Sequence, residues 1–180
     1  MRLIIFDFDG VVADSEALAN QILAEGLSAI GLPTTTEEAL DFYMGRRWAD
    51  CVLHMEQRLG RALPQDFLTS QIATIHARLV AEVQPVAGVL NFLQQHAGVA
   101  RCIASSSSVD YIGKCLSRMA MTHWFEHLFS GQDVERGKPH PDLFLKAAAV
   151  LGVPTADCVV IEDSPMGAWR ARQQRCLRSV

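Results

Sequence analysis

Two aspartates directly follow the first apolar run of the chain. The run Leu3–Phe6 is long enough for a buried parallel strand and too short for a signal peptide or a membrane span. Asp7 and Asp9 come next, followed at once by Gly10. Because side chains alternate along a strand, both carboxylates point to the same side where the strand ends. Two close carboxylates repel each other, and one of them takes up a proton unless a cation lies between them. The spacing therefore predicts a cation site, with Mg²⁺ as the natural occupant.

A second acidic pair follows the last apolar run, Cys158–Ile161. Adjacent acids such as Glu162 and Asp163 are unfavourable at the end of a buried strand unless a cation or hydrogen-bond donors compensate them. This pair therefore belongs with the first two aspartates as a candidate for metal binding.

A run of serines follows another apolar segment, residues 99–104. Ser105 comes directly after this segment, and Ser106 to Ser108 lie where a helical pattern begins. Hydroxyls and free backbone amides at the start of a helix can bind an anion. The alternative is that these serines only cap the helix.

A lysine between fixed backbone positions completes the candidate set. Pro139 and Pro141 restrict the chain around Lys138 and prevent a helix from beginning before Pro141. A fixed ammonium can neutralise a phosphate and pair with a carboxylate. A solvent-facing loop lysine is the alternative.

The elements that must position these groups are short apolar runs separated by helical patterns. Strands are predicted at 3–6, 99–104, 128–129 and 158–161. Such alternation predicts right-handed βαβ units and an α/β fold with a doubly wound parallel sheet. In sheets of this kind ligands bind at the carboxyl ends of the strands, where the polar groups lie.

The segment 15–84 has only helical patterns, and it separates the first strand from the second. Within it, Thr35 and Glu38 have the spacing of a capping box at the start of a helix. We therefore predict a core domain made of 1–14 and 85–180, with residues 15–84 inserted as a helical cap domain.

Four of these segments together resemble the motifs of the haloacid dehalogenase-like (HAD) phosphohydrolases. The pattern D-x-D-G-x-x-x-D-S/T occurs at 7–15, a serine follows the second strand at 105, K-P-x-P occurs at 138–141 and E-D-S-x-x-G at 162–167. The resemblance implies a Rossmann-like HAD core and an Mg²⁺-dependent phosphatase. It also implies that Asp163 is a metal ligand, while Glu162 either joins the coordination or bridges through water.

The expected chemistry is attack by Asp7 on phosphorus to form a transient aspartyl-phosphate. Asp9 would protonate the leaving alcohol and then activate water. The residues expected to act are Asp7, Asp9 and Lys138 in catalysis, Ser105, Ser106 and Lys138 in phosphate binding, and Asp7, Asp9, Glu162 and Asp163 in metal binding.

The helical insert resembles the cap of the β-phosphoglucomutase-like branch. Its stretch Gly45-Arg46-Arg47 is the one expected to contact substrate, although solvated arginines are an equal alternative. True β-phosphoglucomutases carry a histidine early in the first cap helix, where this chain has Ala19, and this difference favours a phosphatase. Residues 15–30 contain no lysine, which argues against a phosphonate hydrolase that forms a Schiff base. A sugar-phosphate mutase remains an alternative, as does a non-catalytic binding module, which would be expected to lack Asp7, Asp9 or Lys138.

Composition narrows the class of partner. With 49% hydrophobic and 20% charged residues the chain can bury a core, and its net charge of −4 argues against nucleic acid and anionic membranes as partners. The five cysteines are scattered, so reduced thiols and a cytoplasmic location are expected. The expected substrate is a small phosphorylated metabolite, and monomer and dimer are both open.

The last residues depart from the family pattern. A basic cluster follows the E-D-S-x-x-G motif, at positions 170, 172, 175 and 178, where relatives usually continue with an alanine-rich helix, a glycine turn and a further strand. We therefore expect a truncated or frame-shifted tail and a sheet without its outer strand. An unpaired edge of this kind would favour a dimer or aggregation.

Overall fold

A parallel sheet forms the centre of the computed structural model, which describes residues 1–44, 48–138, 140–163 and 178–179. In these residues the sheet has five strands in the order β3-β2-β1-β4-β5, and every neighbouring pair is parallel. This confirms the predicted α/β architecture. The strands are β1 (Leu3–Phe6), β2 (Ala100–Ser105), β3 (Leu128–Ser130), β4 (Cys158–Ile161) and β5 (Arg178–Ser179).

Strand β1 lies between β2 and β4 and is buried along its whole length. Leu3 and Ile5 belong to an apolar cluster on one face of the sheet. On the other face, the Phe6 ring packs edge-on against Phe92 and Phe125, with ring centroids 6.0 and 5.5 Å apart. Both faces of β1 are therefore covered, which explains why its sequence is continuously apolar instead of alternating.

The chain divides into two compact units. A strand-containing unit comprises Met1–Asp14 and Val83–Val180, and a helical unit comprises Ser15–Glu82. The α-helices among the described residues of the strand-containing unit are α5 (Val89–Gln95), α6 (Val109–Arg118) and α7 (Asp142–Val150). Those of the helical unit are α1 (Glu16–Ala29), α2 (Thr36–Tyr43), α3 (Trp48–Leu59) and α4 (Phe67–Glu82). The role of the helical unit as a cap stays a prediction.

The helical unit contains the predicted capping box and its own apolar core. The Glu38 amide donates to Thr35 Oγ1 at 3.1 Å, and the Thr35 amide donates to Glu38 Oε2 at 2.8 Å, which confirms the box. The core buries residues of α1 to α4, among them Leu27, Met55 and Phe67. Each helix thus buries one apolar side, as expected for amphipathic helices.

A close approach of α1 and α4 depends on one glycine. The buried Gln71 side chain of α4 donates from Nε2 to the Ile22 carbonyl of α1 at 2.8 Å. A Cβ at Gly26 would overlap the Gln71 amide. Glycine therefore leaves the space in which this buried amide is hydrogen-bonded.

The prediction that the sheet lacks its outer strand is wrong. Arg178 and Ser179 pair in parallel with Val159 and Val160 of β4. A short extended segment can pair with an open strand edge through its backbone amides and carbonyls, so the basic composition around Arg178 does not prevent pairing. The rest of the basic cluster, Arg170, Arg172 and Arg175, lies outside the described residues. In the described parts of the chain, no helix is both long and apolar enough to cross a bilayer.

Candidate active site

The loop after β1 holds Asp7 at the end of the central strand. The Asp7 amide continues the pairing with β4 by donating to the Ile161 carbonyl at 2.9 Å, and Asp7 Oδ1 accepts from the Phe8 amide at 2.7 Å. The chain then turns tightly, because the Ala13 amide returns to the Phe8 carbonyl at 3.0 Å. Gly10 in this turn has a φ of +76°, which favours glycine. Asp7 is therefore fixed by its own backbone and the following amide.

Lys138 connects two of the predicted site carboxylates. Its Nζ lies 2.7 Å from Asp7 Oδ2 and 2.8 Å from Glu162 Oε2. The ammonium also lies 5.1 Å from the centre of the Phe144 ring. The Lys138 side chain is only 14% exposed, so the interpretation of a solvent-facing loop lysine is wrong.

Three carboxylates gather at the carboxyl ends of β1 and β4. One oxygen each from Asp7, Glu162 and Asp163 lies within 4.8 Å of the others. Asp163 lies directly against Gly10, where a Cβ would overlap its carboxylate. The glycine of the first motif thus leaves room for the aspartate of the fourth.

The charges in this cluster are not balanced by Lys138 alone. Burial raises the pKa of Asp7 from 3.8 to about 7 against the attraction of Lys138, and Glu162 adds to the rise. Burial, followed by the charge of Glu162, also raises the pKa of Asp163. Among the described residues, three carboxylates around the Lys138 ammonium leave excess negative charge on hard oxygen ligands, which is the donor set that Mg²⁺ prefers. The residues therefore fit a divalent cation.

Asp9, the other predicted metal ligand, makes different contacts. Its Oδ2 accepts from Ser107 Oγ at 2.7 Å, and its Oδ1 accepts from the Tyr111 hydroxyl at 3.2 Å. Its side chain does not belong to the cluster of three, and its role as a metal ligand stays a prediction. Burial, together with the charge of Asp9, raises the pKa of Tyr111, so its hydroxyl stays protonated.

Ser107 and Tyr111 were not predicted as site residues. The signal that could have found them is their position just after Ser105, in the loop and first helical turn that follow β2. Because β1 and β2 are parallel neighbours, a hydroxyl in that turn lies at the same carboxyl end of the sheet as the first motif.

The loop formed by Ser105 to Ser108, which follows β2, is also held by a residue at the end of β3. Ser105 is buried, and its Oγ accepts from the Ser107 amide at 3.2 Å. Ser130, at the end of β3, donates from Oγ to the Ser107 carbonyl at 3.0 Å. The helix-capping alternative is correct for Ser108, whose Oγ accepts from the Tyr111 amide at 3.3 Å. Phosphate binding by Ser105 and Ser106 stays a prediction.

The predicted substrate contacts Gly45, Arg46 and Arg47 lie outside the described residues, as does Pro139. Their roles remain predictions from the sequence.

Comparison with known proteins identifies the family. Residues 4–176 match the family model of the haloacid dehalogenase-like hydrolases. The chain belongs to this family. It is 30% identical to hexitol phosphatase B of Escherichia coli (strain K12) over 98% of its own length and 81% of that protein. It is 24% identical to the fructose-1-phosphate phosphatase YqaB of the same organism, over 94% of its length and 90% of the relative.

A solved structure extends the similarity to the fold. A HAD family hydrolase from Deinococcus radiodurans, with bound phosphate and sodium, superimposes with a TM-score of 0.84 at 30% identity. The match covers 99% of this chain and 79% of that one. Together, the family match and the phosphatase relatives show that this HAD protein is a phosphoric monoester hydrolase.

Proposed function

We propose that this HAD protein is an Mg²⁺-dependent phosphatase that hydrolyses a small phosphorylated metabolite of the sugar-phosphate type. The observation that carries the proposal is the contact of Lys138 with both Asp7 and Glu162, next to the third carboxylate of Asp163. This places one cationic side chain beside a candidate nucleophile in a group of carboxylates suited to a metal ion.

In the first step, an Asp7 carboxylate oxygen attacks phosphorus, and the bond from phosphorus to the leaving oxygen breaks. An aspartyl-phosphate forms, and the leaving oxygen takes a proton from Asp9. Lys138 offsets the negative charge that the substrate brings beside Asp7. Ser105 and the Ser106 amide would hold the oxygens of the transferring group.

In the second step, water attacks the phosphorus of the aspartyl-phosphate while Asp9 accepts a proton from the water. The bond between phosphorus and the Asp7 oxygen breaks, which releases phosphate and regenerates the carboxylate. Asp7, Glu162 and Asp163 would hold Mg²⁺, with Asp9 as the fourth predicted ligand. When bound, the cation supplies positive charge that stabilises the phosphoryl oxygens.

The substrate class is supported by the relatives and by one residue of the helical unit. Hexitol phosphatase B and the fructose-1-phosphate phosphatase are named for phosphorylated sugars or sugar alcohols. Ala19 in α1 replaces the histidine expected in a mutase, which favours water as the final acceptor.

The test is phosphate release from a panel of sugar and nucleotide monophosphates, with Mg²⁺ or with EDTA. We expect turnover of sugar phosphates that requires Mg²⁺ and falls by at least about a thousandfold in Asp7→Asn. The matched control is Asp110→Asn, which removes an exposed carboxylate from α6 and should leave turnover unchanged. Retained activity in Asp7→Asn, or full activity in EDTA, would refute the proposal.

A further inference from the structure

Both oxygens of the Asp9 carboxylate accept a hydrogen bond from a hydroxyl group. Ser107 Oγ lies 2.7 Å from Oδ2, and the Tyr111 hydroxyl lies 3.2 Å from Oδ1. The donors lie close together in sequence, in the loop before α6 and in its first turn. One short segment after β2 therefore contacts both ends of this carboxylate.

The two donors are themselves held in place. The Ser107 backbone donates to Ser105 Oγ at 3.2 Å and accepts from Ser130 Oγ at 3.0 Å. Tyr111 is buried, and its ring packs edge-on against Phe8 with the centroids 6.0 Å apart. The backbone of Ser107 and the ring of Tyr111 are therefore both held in place. Hydroxyl donors held in this way restrict the orientation of a carboxylate more than exposed, mobile donors do.

The direction of Asp9 matters because a proton transfers efficiently only over a short, aligned contact. An aspartate has two rotatable side-chain bonds, and its free rotation would spread the carboxylate over orientations that do not reach the leaving oxygen. We propose that Ser107 and Tyr111 are positioning residues that orient Asp9 for proton transfer to the leaving group. This inference rests on the proposed function, in which Asp9 is the general acid.

The alternative is that the two hydrogen bonds only connect the first motif to α6 and do not influence the proton transfer. The two roles differ in how the effect depends on the leaving group. A sugar alkoxide needs a proton as it departs, whereas p-nitrophenolate leaves without one. An error in the orientation of Asp9 therefore slows the first step for a sugar phosphate but not for p-nitrophenyl phosphate.

The experiment measures kcat/KM for both substrates in Tyr111→Phe and Ser107→Ala, each of which removes one hydroxyl. The parameter kcat/KM reports the steps up to formation of the aspartyl-phosphate. We expect a fall of about tenfold for the sugar phosphate and a change of less than about twofold for p-nitrophenyl phosphate. Ser117→Ala, which removes an exposed hydroxyl from the same helix, is the matched control. Retained turnover of p-nitrophenyl phosphate shows that each variant is folded.

An equal fall on both substrates, no change on either, or a rise with the sugar phosphate would overturn the inference. Asp9→Asn separates it from the proposed function. If Asp9→Asn slows both substrates equally at saturating Mg²⁺, the general-acid role of Asp9 fails. If Asp9→Asn affects only the sugar phosphate while Tyr111→Phe and Ser107→Ala do not, the positioning role alone fails. Adding Tyr111→Phe to Asp9→Asn should cause no further loss, because the two side chains act through one proton transfer.

Discussion

The Lys138 ammonium lies 2.7 Å from the Asp7 carboxylate, and both side chains are largely withdrawn from water, at 14% and 13% exposure. The two residues are far apart in sequence, since Asp7 follows β1 and Lys138 lies in the segment between β3 and α7. The same ammonium reaches Glu162 at 2.8 Å. Lys138 thus offsets the charge of two buried carboxylates.

Replacing Lys138 by methionine should destabilise the protein as well as inactivate it. Removing one partner of a buried ion pair leaves uncompensated charge and costs about 3 kcal/mol in the free energy of unfolding. Urea denaturation in EDTA measures this loss, and Mg²⁺ should recover part of it. Lys114→Met, which breaks an exposed pair with Asp110, should have a much smaller effect. Equal effects of the two substitutions would contradict the prediction.

The raised pKa of Asp7 predicts a pH dependence of stability in the metal-free protein. In the folded protein Asp7 keeps its proton up to about pH 7, whereas in the unfolded chain it loses it near 3.8. Unfolding therefore releases a proton between these values, so the Asp7 contribution to stability is complete below pH 3.8 and is lost as the pH rises to about 7.

Asp7→Asn removes this titration and provides the comparison. In EDTA, the free energy of unfolding of the wild type should fall relative to that of Asp7→Asn as the pH is raised through this range. With Mg²⁺ the difference should shrink, because a bound cation favours the ionised carboxylate. Parallel pH profiles of the two proteins in EDTA would show that Asp7 ionises normally.

Gly10→Ala should weaken metal binding. A Cβ at this position overlaps the Asp163 carboxylate, so the aspartate must move out of the cluster. We expect the Mg²⁺ concentration needed for half-maximal thermal stabilisation to rise by about tenfold. Gly88→Ala is the matched control, because Gly88 also has a positive φ of 88° but has open space around its Cβ position. The same Mg²⁺ requirement in both variants would argue against Asp163 as a ligand.

Gly26→Ala should destabilise the helical unit, although alanine is the better helix former. The added methyl group overlaps the Gln71 amide, and the overlap costs about 2 kcal/mol in the free energy of unfolding. Gly113→Ala, in α6 with open space around its Cβ position, should instead stabilise by up to about 1 kcal/mol. Thermal or urea denaturation measures both changes. A stabilised Gly26→Ala would show that the approach of α1 and α4 is looser than described.

Much of the fold and part of the site could be predicted from local sequence. Leu3–Phe6 had to be a buried strand because it is short, apolar and followed by polar residues. The capping box of Thr35 and Glu38 is a contact between residues three positions apart, so its spacing was sufficient evidence. Because the strands are parallel, the segments that follow β1, β3 and β4 lie at the same end of the sheet. Asp7, Lys138 and Glu162 meet there.

Only the tertiary structure decided the partners of individual side chains. Asp9 is two residues from Asp7, yet its carboxylate contacts Ser107 and Tyr111, which are 98 and 102 positions away in sequence. Strand periodicity determines the side to which a residue points, but not which donor a distant segment brings to it. The outer strand was missed for the same reason, because an open edge of β4 determines whether Arg178 and Ser179 pair, and their composition does not. Motifs and strands are therefore local properties of this sequence, whereas the hydrogen bonds that orient its site depend on packing between segments far apart in the chain.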